Sequence, residues 1–217
     1  MQITWHGHSC FTLKGNKATV VTDPYDSAKI GLKLPSLSAD LVTCSHTHPG
    51  HHSPEKVSGT KLLFDCPGEY EAHEVPFNGI ATWHNSKDEE DRGPNTVFAF
   101  NLDDLNVCHL GDLGHVLTTE QIDQVGDVDV LLVPVGGVAT LNVKKTRELI
   151  EKIDPRVIIP MHYQLPGLKY ELGALEEFLK EMGLTAPEKM ATLKIDKKDL
   201  PKDDEGLKLI LLDAILA

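Results

Sequence analysis

Positive charge is scarce in this sequence: 21 lysines and arginines stand against 33 aspartates and glutamates over 217 residues, a formal charge of −12 at pH 7. That balance excludes a broad basic surface for nucleic acid or an anionic membrane. No basic or aromatic-interleaved segment offsets it, so nucleic-acid processing has no support. Long apolar runs are also missing. The best stretches, such as 128–135, are too short and interrupted to span a bilayer. The opening Met1-Gln2-Ile3-Thr4-Trp5-His6 lacks the basic start, apolar run and small-residue site of a secretory signal. Cysteine is limited to Cys10, Cys44, Cys66 and Cys108, with no Cys-x-x-Cys pair. Because they lie in strand-like runs, buried reduced thiols in a cytoplasmic protein are expected, not disulfides or a thiolate metal site. There is no Gly-x-Ser-x-Gly elbow and no Walker loop, which leaves serine-hydrolase and P-loop chemistry without a footing. Neither a flexible linker nor an internal repeat is visible, so residues 1–217 read as one domain.

The first half is rich in short β-type runs between turn residues. Segments 3–5, 10–13 and 18–22 read as a meander, and 40–45 as a short buried strand. Further strands are predicted over 61–64, 69–74, 79–84, 96–101 and 106–110. The second half alternates strands and helices. A helix capped by Thr118 or Thr119 precedes a strand over 128–133. An amphipathic helix over 142–153, a strand over 157–160 and a helix over 172–182 closed by Gly183 follow. Segments 192–195 and 207–212 read as closing strands around a polar loop. A strand-rich half followed by β-α alternation predicts two face-to-face sheets with helices outside, an α/β sandwich.

Four histidines fall within seven residues in His46-Thr47-His48-Pro49-Gly50-His51-His52. His46 and His48 are two apart, so an extended backbone puts them on one side. Pro49-Gly50 then supplies a turn that returns His51 toward them. Ser53-Pro54-Glu55 reads as a helix start directly after the cluster. A surface turn rich in histidine is the plainer interpretation of any one of these residues. For the set, delivered by an apolar strand, metal ligation is the better one, with zinc suited to imidazoles and manganese or iron accommodated where carboxylates join. His84, Asp112 and His162 each end or follow a predicted strand, an edge where a sheet can gather ligands, although alone the two histidines read equally as half-buried hydrogen-bonded residues and Asp112 as a turn carboxylate.

Seven segments in chain order resemble the metallo-β-lactamase fold superfamily, in particular the branch of L-ascorbate-6-phosphate lactonase-like enzymes and metal-dependent hydrolases. They are Trp5-His6-Gly7-His8-Ser9-Cys10-Phe11, Thr22-Asp23-Pro24-Tyr25, the 46–51 cluster, Thr82-Trp83-His84-Asn85-Ser86, Leu110-Gly111-Asp112, Pro134-Val135-Gly136-Gly137 and Ile159-Pro160-Met161-His162-Tyr163. The resemblance implies a four-layer αβ/βα sandwich. It implies a first metal position of His46, His48 and His84, a bridging Asp112, and a second position of His51 and His162 with residue 50. Here the chain departs from the pattern: the superfamily carries aspartate and this sequence has Gly50. The loss removes a carboxylate that would hold the reacting water and take part in proton movement. His52 is the neighbouring candidate to compensate, although an extended chain points it away.

The implied activity is hydrolysis by a metal-activated water, on a small ester, lactone or phosphoester, with one or two Zn2+ ions and Mn2+ as the other candidate. Asp112, His51, His8 and His115 are the candidate catalytic residues, His115 as a donor to a developing oxyanion. A small molecule, anionic ones included, is the expected partner. No nucleic acid or membrane is expected, and a homo-oligomer is left open. The rival is a metal- or ligand-binding protein that kept the fold and lost hydrolysis with Gly50. Asp23 is expected to steady a ligand histidine, and Glu69 is a weaker candidate to face the pocket. His6, His73 and His109 read as structural strand residues, and the acidic run 87–92 as a solvated loop.

Overall fold

The structure is a computed structural model that describes residues 1–59, 62–84, 93–202 and 204–217; the run at 87–92 lies outside them. The first half forms β1 (Gln2–Trp5), β2 (Phe11–Lys14), β3 (Thr19–Thr22), α1 (Ser27–Ile30), β4 (Leu37–Ser38), β5 (Leu41–Thr43), β6 (Val57–Ser58) and β7 (Leu62–Phe64). There follow β8 (Gly68–Ala72), β9 (Val75–Trp83), β10 (Pro94–Leu102), β11 (Leu105–His109), α2 (Thr119–Val125) and β12 (Val130–Pro134). The chain closes with α3 (Val143–Ile153), β13 (Val157–Met161), α4 (Leu175–Met182), β14 (Leu193–Lys194) and β15 (Lys208–Leu209). One sheet runs β14-β1-β2-β3-β5-β7, and the second runs β15-β13-β12-β11-β10-β9-β8.

The two-residue period of the strands decides the layering. Val20 and Leu41 are register partners that join Phe11 and Leu13 in the large core shared with Phe98, Val107 and Leu131 of the second sheet. Their neighbours Val21 and Val42 face the other way, onto a separate cluster with Ile30 of α1 and Val57. In the second sheet β12 and β13 are buried along their whole length, as parallel strands covered on both faces are. Leu149 and Ile150 of α3, with Phe178 and Leu179 of α4, supply that cover, each fully buried apolar side chain worth about 1.5–3 kcal/mol. The result is the helix–sheet–sheet–helix sandwich expected. Asn142 caps α3 through Lys145 N–H, and Thr118 with Gln121 forms a capping box on α2.

Three local expectations are corrected. Ser53 does not start an α-helix: Pro54–Lys56 makes a single 3-10 turn, because Val57 and Ser58 leave at once to pair in parallel with β4. The strand expected over 69–74 stops at Ala72, where His73 and Glu74 turn with φ +51° and +58° into β9. His73 is thus an exposed turn residue. Cys66 is exposed and sits 3.3 Å from the Tyr70 hydroxyl, while the other three thiols are buried as expected.

Candidate metal centre

Strand direction explains how residues far apart in sequence meet. β1, β3 and β5 run in one sense, since β2 is antiparallel to both β1 and β3, and β3 is parallel to β5. In the second sheet β9, β11, β12 and β13 share one sense by the same reasoning. Each candidate residue follows the C-terminal end of such a strand: His8 after β1, Asp23 after β3, His46 to His51 after β5, His84 after β9, Asp112 after β11 and His162 after β13. A Thr96 N–H to Ser45 carbonyl bond of 2.8 Å ties the two sheets at this edge.

The turns between these strand ends set the side chains. His51 N–H donates to the His48 carbonyl at 2.9 Å, closing the Pro49-Gly50 turn so that the His51 and His46 rings lie 4.2 Å apart. Asp112 follows Gly111, whose φ is +56° and whose missing Cβ would stand 2.4 Å from Asn95 Oδ1 and 2.5 Å from Ser45 Cβ. Only glycine lets the Asp112 turn come this close. Asn95 then accepts from Asp112 N–H at 2.9 Å.

Asp112 is the hub. Its Oδ2 lies 3.0 Å from His51 Nε2 and 3.2 Å from His84 Nε2, and its Oδ1 lies 3.3 Å from His162 Nε2. His46 Nε2 is 3.9 Å from the same carboxylate and, although buried, has no hydrogen-bond partner among the described residues. Among the described residues three sets can each bring one donor atom per residue within 4.8 Å: His46, His48 and His84; His46, His51 and Asp112; and His8, His51 and His162. Buried nitrogens converging on a carboxylate, one of them orphaned, fit a divalent cation better than they fit one another.

Outer partners orient the rings. Asp23 accepts from Ser45 N–H at 2.7 Å, Ser45 Oγ–H at 2.6 Å and His51 Nδ1–H at 2.7 Å. Ser45 Oγ, having given its proton to Asp23, accepts from His46 Nδ1 at 2.9 Å. Both histidines thereby keep Nδ1 on the outside and direct Nε2 at the centre, the orientation a metal ligand needs. The steadying role expected of Asp23 matches this placement. Burial alone would push the His51 ring down, but the Asp112 and Asp23 carboxylates reverse that and push it up to about 10. Burial likewise raises Asp112, yet the His162 and His51 rings hold it well below the usual carboxylate range. His46 and His8 are held low, first by burial and then by neighbouring imidazoles. Without a cation, His51 therefore carries the proton that a dication would displace.

Other expected residues fall outside the centre. His115 accepts from Trp83 N–H at 3.2 Å through Nε2, and its Nδ1 lies 3.0 Å from the Val116 carbonyl, so both ring nitrogens are engaged by backbone and no donor is left for an oxyanion. His52 reaches Asp65 at 3.2 Å instead of replacing the missing carboxylate, because the turn that brings His51 in sends its neighbour out. Glu69 is exposed on β8 and does not line the cavity. His6 pairs with Thr12 and His109 with the Ser9 carbonyl, as structural residues do. Ser45 and Asn95 escaped the sequence reading. A polar residue opening the apolar run 96–100 was the available signal for Asn95. The cavity over the centre holds about 370 Å³, with Val138, Tyr170 and Leu172 on its wall beside Glu171.

A family model described as a beta-lactamase superfamily domain matches residues 2–162. A UPF0173 metal-dependent hydrolase of Thermoplasma acidophilum is 31% identical over 189 residues, covering 75% of this chain and 83% of its own. A crystal structure from Thermotoga maritima, of a protein proposed to be a Zn-dependent hydrolase of the metallo-β-lactamase superfamily, is 39% identical with a TM-score of 0.79. That match covers 98% of this chain and 99% of the other. The metallo hydrolase Igni18 of Ignicoccus hospitalis shares the fold at 19% identity and a TM-score of 0.64, covering 90% and 99%.

Proposed function

The chain belongs to the beta-lactamase superfamily and, with its Thermoplasma relative, to the UPF0173 metal-dependent hydrolases, and we propose that it hydrolyses a small carboxylic ester or lactone at a zinc centre. The observation that carries this reading is the Asp112 carboxylate enclosed by the Nε2 atoms of His51, His84 and His162, with His46 Nε2 buried beside it and unpartnered among the described residues. His46, His48 and His84 would hold the first ion, and His51 with His162 would serve a second, with Asp112 between the two sets. Zinc held there would supply Lewis acidity toward a scissile carbonyl and a water activated near neutral pH.

The protein supplies orientation. Asp23 and Ser45 keep the Nδ1 protons of His51 and His46 on the outside of the centre, so Nε2 is the nitrogen each ring turns toward it. Burial keeps bulk water from the rings of His46, His51, His84 and His162, while His48 is exposed. Val138, Tyr170 and Leu172 offer an apolar wall to the acyl or ring portion of the substrate, while the Glu171 carboxylate repels a phosphate dianion. An ester or lactone suits that wall better than a phosphoester.

The test is hydrolysis of a chromogenic ester, a lactone and a phosphodiester by metal-stripped protein with zinc or manganese restored. Zinc-dependent turnover of the first two, lost in Asp112→Asn, is expected. A protein that binds zinc but hydrolyses nothing favours the second reading, a metal-binding protein without hydrolysis, which Gly50 recommends.

A further inference from the structure

The turn between β1 and β2 carries a histidine that the ligand scheme above leaves unused. His8 is buried, at 4% exposure, and faces the cavity over the centre. Its ring centroid lies 4.3 Å from that of His162 and 4.7 Å from that of His51. One nitrogen from each of these three rings can lie within 4.8 Å of the other two, the spread of a ligand set.

Its backbone is fixed from two sides. The His8 carbonyl accepts from the Trp5 indole N–H at 3.0 Å and from His162 N–H at 3.0 Å. His8 has φ +51° and His162 φ +52°, a region a non-glycine residue keeps only when its surroundings hold it. Two strained histidines bonded backbone to backbone, with their rings side by side, form a built arrangement.

Gly50 explains where the His8 ring can sit. A Cβ on residue 50 would stand 2.7 Å from His8 Nε2 and 3.0 Å from Ile30 Cδ1. Any side chain at 50 and the observed His8 ring therefore compete for one volume. The residue whose absence weakens the second position is thus the residue whose absence admits another imidazole to it.

We propose that His8 is a metal ligand, completing with His51 and His162 a three-histidine second position bordered by Asp112, and that Gly50 is the space-making partner of this ligand. This rests on the metal-centre reading above and adds to it a ligand exchange between two loops. The consequence is chemical: a neutral imidazole in place of a carboxylate makes the second position softer and less negative. It then favours zinc over manganese or magnesium more strongly than a site with a second carboxylate.

Zinc-loaded crystals of the unaltered protein, measured at the zinc absorption edge, test it directly. Two anomalous peaks are expected, one of them about 2.0–2.1 Å from a His8 ring nitrogen. A second zinc with His8 out of reach overturns the role of His8 and leaves the metal centre standing. No zinc at either position overturns the metal-centre reading and this inference together. In solution, His8→Gly tolerates the left-handed backbone and removes the ring. It should lower affinity for the second zinc equivalent by more than the roughly 10–100-fold typical of losing an outer hydrogen-bond partner, with the first equivalent unchanged. Adding Gly50→Asp to His8→Gly should restore two equivalents, while Gly50→Asp alone should not, because its side chain meets the His8 ring. Undiminished binding of the second zinc by His8→Gly overturns the inference.

Discussion

Replacing Asp23 by asparagine perturbs the centre without touching a donor atom that faces it. Asp23 is fully buried at φ +41°, a region asparagine adopts readily, so the backbone is not newly strained. The carboxylate accepts three hydrogen bonds, from Ser45 N–H, Ser45 Oγ–H and His51 Nδ1–H. An amide cannot accept all three. With its oxygen on Ser45 N–H, its NH2 faces His51 and forces that ring into the other tautomer, with the proton on Nε2 where the cation belongs. With its oxygen on His51, the NH2 faces Ser45 N–H and leaves two donors opposed. A buried mispaired donor costs about 1–3 kcal/mol, and loss of an outer partner costs about 10–100-fold in metal affinity. Asp23→Asn should therefore show zinc affinity lowered within that range by chelator competition. Urea unfolding of the metal-free protein should show stability lowered by about 1–3 kcal/mol. Unchanged values in both assays would refute the assignment of His51 orientation to Asp23.

Gly111→Ala should destabilise the chain by roughly 2–4 kcal/mol, since its Cβ at φ +56° meets Asn95 and Ser45 under 3 Å; a loss below about 1 kcal/mol in urea unfolding would show that the Asp112 turn has slack. The metal-free protein should be most stable near pH 6.5. His6, His8, His46 and His109 are held below their ordinary 6.5, chiefly by burial, so below that pH the unfolded chain binds more protons. Stability then falls on acidification by up to about 1.4 kcal/mol per pH unit for each histidine. His51 works oppositely: its contribution is complete below 6.5 and lost as pH rises through about 10. A melting temperature that rises steadily from pH 6.5 to 10 in chelator would contradict that assignment.

The placement of these residues was partly legible in the chain. Apolar runs leading to His84, Asp112 and His162 marked the strands correctly, because buried strands read as apolar segments. The helix starts at Thr118 and Asn142 were equally readable, since an N-cap is a local hydrogen bond between residues three apart. The 53–56 segment misled for the converse reason: its helix signals are local, but pairing of β6 with distant β4 outweighs them.

Local sequence set the His46–His52 cluster and the turn that folds His51 back toward His46, because both are encoded within a few neighbouring residues, whereas His84, Asp112 and His162 were implied by the resemblance of their segments to the superfamily. Only the tertiary structure decided which way each ring points. Contacts between strand ends dozens of residues apart give His51 to Asp23, withdraw His115 to the Trp83 backbone, and lay His8 over Gly50. Those pairings arise from the parallel sense of strands in two stacked sheets, which no local pattern in the chain records.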